Sequence, residues 1–273
     1  LGAVAVGTAI FWPAFGLVMG LLMALTATAA HLYGAGELAS IGRYKRQADR
    51  IALIAAAISM VLMWNAEPFL AWIGTDPELV PRTGGYLKAM ALGMPAVCLY
   101  HTLRFTSEGV GRTTPLIGVA IVGVACNVFG NWVFMWGNLG MPRLGATGCG
   151  LATALSFTMM WLALRWHLRT HAYYAPFRLD RREPDEPWFD GARQRELAAL
   201  GLPIGVMIFM ESSLFAAAAL MLGTLGAEIV AGHQIALNWA AFMFMVPLGL
   251  GLAATIRVGH ALGAGDEAAA RFR

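Results

Sequence analysis

The chain has 273 residues, of which 58% are hydrophobic and only 13% charged, with a mean hydropathy of +0.63; a soluble domain needs about 25% charged residues to wet its surface, so a bilayer is the natural solvent. The net charge of +3 comes without any Lys/Arg-rich block, which excludes a phosphate-gripping nucleic-acid face. Cys98, Cys126 and Cys149 all lie in apolar runs and form no disulfide framework.

Seven segments are apolar over the roughly 20 residues that a hydrocarbon core requires: 3–31, 51–73, 86–106, 115–136, 145–166, 200–225 and 229–262. In lipid each backbone polar group must be satisfied within the segment, which makes these spans helices and the protein an all-α polytopic membrane protein. Leu1 already stands in an apolar run and no Met or signal peptide precedes it, so the chain reads as a fragment lacking its start. Connections are short except 169–195, which is charged, rich in Pro and aromatic residues, and polar enough to lie in water. Of the 19 Lys and Arg residues, 16 fall at or beyond the ends of the first, third, fifth and seventh spans and 3 (Arg82, Lys88 and Arg143) on the other side. The positive-inside rule makes those four connections cytoplasmic. Pro13, Pro95 and Pro247 lie inside spans and are expected to bend them.

The first and seventh spans repeat one another. GLLMALTATAAHLYGAG at 20–36 and GLGLAATIRVGHALGAG at 249–265 match at eight of 17 positions with an offset of 229. Both copies end on the basic side, so the repeat is parallel. The expected whole is two six-helix halves, of which this chain supplies the second to eighth helices.

Among the acidic residues, Glu211 alone sits midway along a span, in IGVMIFMESSLFAAAAL, with Ser212 and Ser213 beside it. Burial would raise its pKa, which suits a group that exchanges a proton or binds Na⁺; a protonated side chain bonded to a neighbouring helix is the plainer alternative. Asn127 and Asn131 share one helical face with Gly123, and could offer carbonyl oxygens to a cation or simply bond between helices. His233, Gln234 and Asn238 stand in the first turns of the seventh span, the last two on one face. Arg104 and Glu108 are spaced for a salt bridge. His167 and His171 have metal spacing but no accompanying carboxylate or Cys. No GxSxG, HExxH, phosphate loop or CxxC occurs, so an enzyme is disfavoured.

The string at 20–36, EGVGRTTP, NVFGNWVFMWGNLGMPRLGATGCGLATA, the run from GLPIGVMIFMESS to AGHQIALN, and TIRVGHALGAGD together resemble the MATE (multidrug and toxic compound extrusion) family in its NorM-like bacterial form. The resemblance implies a twelve-helix, two-lobe bundle of parallel six-helix repeats, here incomplete with about seven helices. It implies an N-lobe bundle at 1–168, an inter-lobe loop at 169–195 and the start of the C-lobe at 196–273. It further implies efflux of cationic or amphiphilic drugs in exchange for Na⁺ or H⁺, by a monomer in the bacterial inner membrane, with no cofactor beyond the coupling ion. By motif position Glu211 matches a coupling carboxylate. Asn127, Asn131 and Cys149 match polar cavity and cation-site positions, and Gln234, with Asn238 and Ser212, falls at the drug cavity. Cys149 departs from the Thr of other members, and the family's helix-one Asp and helix-ten acidic residue have no counterpart here. Two rival readings are a lipid-linked precursor flippase, for which a more cationic cavity is expected, and a non-transporting membrane subunit.

Overall fold

The regular elements are all helical among the described residues, which in this computed structural model are 2–72, 75, 77–182, 186–223 and 227–272. The expected span ends Ile73 and Leu225, and the basic residue Arg273, lie outside them. In chain order the helices are α1 (Gly2–Gly34), α2 (Leu38–Trp64), α3 (Ala66–Trp72), α4 (Leu79–Ala91), α5 (Met94–Gly109), α6 (Thr114–Gly130), α7 (Ala146–Thr170), α8 (Gly191–Gly223), α9 (Ala227–Gly263) and α10 (Glu267–Phe272). A π-helical turn, Asn131–Met135, continues α6, and a 3₁₀ turn, Ala172–Phe177, follows α7.

Six of these helices are long and apolar enough to cross a membrane: α1, α2, α6 with its π turn, α7, α8 and α9. The expected span at 86–106 is instead two helices, α4 and α5, broken at Leu92 and Gly93. Pro95 is the cause. It has no N–H to give the Ala91 carbonyl and its ring crowds that oxygen, so it suits the first turn of a new helix. Pro13 and Pro247 stay inside α1 and α9 without ending them.

The outward faces are those of a protein in lipid. Ile58, Val61 and Leu62 of α2 and Ile117, Ile121, Val124 and Val128 of α6 are all exposed. Inside, Phe11, Phe15 and Leu25 of α1 pack with Leu87, Met94 and Phe105. A second cluster, which includes Ile41, Leu164, Leu168, Tyr174 and Phe177, lies at the arginine-rich end.

That second cluster anchors the α7–α8 connection, most of whose described residues are exposed, as its polarity leads one to expect. α2 begins at Leu38, well before residue 51, and its polar first turns are covered by the α7–α8 connection. The Arg46 guanidinium pairs with Glu186, both nearly buried, with Nε 3.0 Å from the carboxylate, and also donates to the Arg178 carbonyl at 2.7 Å. Gln47 accepts from Gln194 Nε2 at 3.0 Å, and Tyr44 donates to Glu196 at 2.6 Å. Lys45 pairs with Asp49 at 2.7 Å, and Asp49 accepts from the Thr102 hydroxyl at 2.6 Å. The expected pair of Arg104 and Glu108 is formed at 2.7 Å. Glu186→Ala is expected to weaken loop attachment by about 2 kcal/mol, since it strands the Arg46 charge at a partly wetted edge. Faster tryptic cleavage within 171–190 checks this.

α8 and α9 join the rest of the chain through α1, and glycine makes the approach possible. A Cβ at Gly20 would collide with the Gly205 backbone. A Cβ at Gly34 would strike the His260 carbonyl, and one at Gly263 the His31 carbonyl. His31 and His260, like Gly34 and Gly263, are repeat partners at the offset of 229. One at Gly259 would meet Ala30, its own partner, at 2.9 Å. Each half therefore presents to the other what it receives, as a local two-fold axis through the α1–α9 crossing requires.

Candidate functional site

On α6 the amide of Asn131 donates to Asn127 Oδ1 at 3.0 Å, and both side chains are half-buried. Asn131 Oδ1 is itself buried with no hydrogen-bond partner among the described residues. The π turn begins at this residue, with the Trp136 N–H bonded to the Asn131 carbonyl at 3.3 Å. Such turns widen a helix locally and are frequent at functional sites. Farther along the same face Gly123 is buried, its carbonyl accepting from Ser156 of α7 at 2.5 Å. The expected polar face is thus packed at Gly123 and leaves an oxygen unsatisfied at Asn131.

Cys149 is half-buried on α7 beside the core cluster that contains Tyr86, and its thiol is free. Its neighbours Gly148 and Ala152 receive Phe134 and Gly130 of the α6 segment. No hydrogen bond among the described residues joins Cys149 to Asn127 or Asn131.

Glu211 is exposed and makes no ion pair or side-chain hydrogen bond among the described residues. The burial expected for it is not supplied by this packing, because α8 meets α1 through Gly201, Gly205 and Ile208, and Glu211 lies off that stripe. Ser212 is half-buried, with its hydroxyl bonded back to the Ile208 carbonyl at 2.8 Å. Gln234 and Asn238 are on one face of α9, both exposed, next to exposed Trp239 and Phe242, whose rings are 6.3 Å apart.

Two features escaped the sequence reading. His101 of α5 is buried among Phe15, Tyr100, Phe105 and Phe157, with Nδ1 lacking a partner among the described residues; a His within an apolar run was the available signal. At the arginine-rich end a cavity of about 770 Å³ separates α9 from the α5–α6 turn, bordered by Tyr33, Glu108, Arg112, Tyr173, Arg257 and His260. His260 Nε2 lies 2.8 Å from the Gly109 carbonyl, and its ring packs against Tyr33 at 4.8 Å, tilted by 40°. Burial, then a hydrogen bond with Tyr33, pushes the Tyr173 hydroxyl up to about 12. His167 and His171 stack at 5.2 Å, and no group of three His, Cys, Asp or Glu suited to a metal occurs among the described residues.

A model of the MatE family matches residues 1–133 and 203–273. The chain is 44% identical over 274 residues to the multidrug resistance protein PmpM of Pseudomonas aeruginosa, covering 100% of itself and 57% of that protein. It is 41% identical to the probable multidrug resistance protein NorM of Shewanella oneidensis, covering 96% of itself and 57% of the relative. The chain thus spans little more than half the length of these curated relatives. Among solved structures, a monobody complex of the MATE transporter NorM-NG superposes with a TM-score of 0.79 at 30% identity, over 95% of this chain and 56% of that one. The eukaryotic MATE transporter AtDTX14 shares the fold with a TM-score of 0.85 at 19% identity, over 98% of this chain and 59% of that one.

Proposed function

The chain belongs to the MatE family, and from that premise we propose that it serves a secondary active multidrug antiporter, exporting organic cations or amphiphilic drugs in exchange for Na⁺ or H⁺ by alternating access. The observation that carries the reading is the α1–α9 crossing, where Gly34 meets the His260 backbone and its repeat partner Gly263 meets the His31 backbone. A two-fold crossing of this kind supplies a pivot about which two lobes can rock around a central site. The names of the relatives supply the substrate class. The arginine-rich end would face the cytoplasm of a bacterial inner membrane.

Within this reading Glu211 carries the coupling ion, and Asn127, Asn131 and Cys149 form the polar wall of the cavity in the first lobe. The unsatisfied Asn131 oxygen supports a role as acceptor for a cation or a drug ammonium. Gln234, Asn238 and Ser212 would line the drug path, and Trp239 and Phe242 offer ring faces to a flat organic cation. Asn127→Ala is expected to weaken drug or cation affinity by about tenfold while costing no more than about 1 kcal/mol of stability, the scale of one hydrogen bond between membrane side chains. Equilibrium binding and thermal melts of the same preparation check both halves.

The function is tested with full-length protein in vesicles loaded with ethidium. Efflux driven by an imposed Na⁺ or proton gradient is the expected result. Absence of efflux under both gradients contradicts the proposal, and transfer of a lipid-linked phosphate in its place would favour a flippase.

A further inference from the structure

At the arginine-rich end of α7 a cavity of about 570 Å³ lies between that helix and the folded connection that follows it. Arg165, Arg169, Arg178 and Arg181 line it, and Asp180 is the one carboxylate among the described residues of the lining. Its floor is apolar, formed by the buried side chains of Leu103, Leu168 and Leu179. Arg165 and Arg169 stand four apart on α7, and Asp180 holds both, at 3.9 Å and 2.5 Å. Arg178 takes a left-handed backbone with φ 48°, which costs a non-glycine residue about 1 kcal/mol. The turn carries Asp180 and Arg181 to the same cavity.

The position of this cavity is informative. On α7 the exposed residues Met159, Leu162 and Trp166 form the stripe that faces lipid, and Arg165 and Arg169 continue its edge at the membrane boundary. Trp161 lies under the Arg165 guanidinium at 5.3 Å, and the exposed Trp166 is where an indole anchors a helix at the headgroups. A phosphodiester needs charge-assisted donors, of which arginine gives the best-shaped. Its glycerol and first methylenes need an apolar floor, and its acyl chains need an adjoining greasy surface. All three are present within one helix end. Burial alone would raise the Asp180 carboxyl, but the Arg169 hydrogen bond and the charges of Lys45, Arg169 and Arg165 hold it below its ordinary range. It therefore stays ionised and orients the two arginines while leaving their remaining N–H groups to a ligand.

We propose that this cavity binds the headgroup of an anionic phospholipid from the leaflet on the arginine-rich side, its phosphate held between Arg165 and Arg169. The proposal does not depend on drug efflux; it needs only the membrane assignment.

Native mass spectrometry of the detergent-purified chain with added phosphatidylglycerol or phosphatidylcholine tests it. Retention of phosphatidylglycerol over phosphatidylcholine is expected, with Arg165→Gln/Arg169→Gln lowering that retention by about tenfold or more. A charge-matched Arg195→Gln/Arg271→Gln variant, at exposed positions away from the cavity, should retain the lipid as wild type does. Asp180→Asn keeps every arginine and should bind phosphatidylglycerol severalfold more tightly, which decides the matter if the double variant does not fold. Equal retention of the two lipids, an unchanged double variant, or unchanged or weaker binding by Asp180→Asn would overturn the proposal. Displacement of phosphatidylglycerol by millimolar inorganic phosphate would also overturn it, making the cavity a site for free anions.

Discussion

In full-length protein, Glu211→Gln is expected to abolish ion-driven drug efflux and to leave a slow downhill leak, at least about tenfold below wild type, if the proposed antiport holds. The substitution keeps side-chain volume and hydrogen-bonding shape, and removes only the capacity to carry a charge or a titrating proton. Glu211 stands on a helix long and apolar enough to cross a membrane, and no described cation neutralises it. It also stands off the α1-facing stripe, so its loss should not disturb the packing of α8. A mere structural carboxyl would behave oppositely: its amide would transport normally and the melting profile would change. Counterflow under zero gradient, measured beside gradient-driven efflux, separates loss of coupling from loss of drug binding.

The second large effect is expected at the lobe junction. Gly263→Leu places a side chain against the His31 carbonyl, which belongs to a helix backbone and cannot rotate away. Overpacking of a well-filled contact costs about 1–3 kcal/mol, and a backbone collision belongs at or above the top of that range. Gly34→Leu meets the His260 carbonyl in the same way and should match it, because the two positions are related by the repeat. Gly118→Leu is the control. Nothing lies within 4 Å of a Cβ there, so it should be neutral or slightly stabilising through helix propensity. Thermal melts of the three variants, with cysteine cross-linking between α1 and α9, read the effect directly.

Hydropathy located the membrane helices because a lipid-facing run cannot hide its composition, and it failed where burial comes from the protein itself. The span expected at 51–73 misses the first turns of α2, since Arg46, Gln47 and Lys45 look solvated in sequence and are covered in the fold by the α7–α8 connection. The same span overruns Trp64, beyond which Asn65 caps the helix by donating to the Val61 carbonyl at 2.8 Å. Pro95 was expected to bend a helix and instead stands in the first turn of a new one, after a break at Leu92 and Gly93. The repeat was readable from eight matching residues, and the structure adds that matching residues touch one another. At the candidate site the Asn127–Asn131 pair was legible from its spacing, whereas the π turn that starts at Asn131 has no period a sequence would announce. The exposure of Glu211 was not legible at all, because the faces of a membrane helix differ in partners and hardly in composition.

Binding linkage tests the central claim most directly. If cation and drug favour different states of one transporter, the affinity of full-length protein for a fluorescent organic cation must fall as Na⁺ or proton concentration rises. That dependence is expected in the wild type, and a flat line in Glu211→Gln. Drug affinity independent of both cations in the wild type would contradict it.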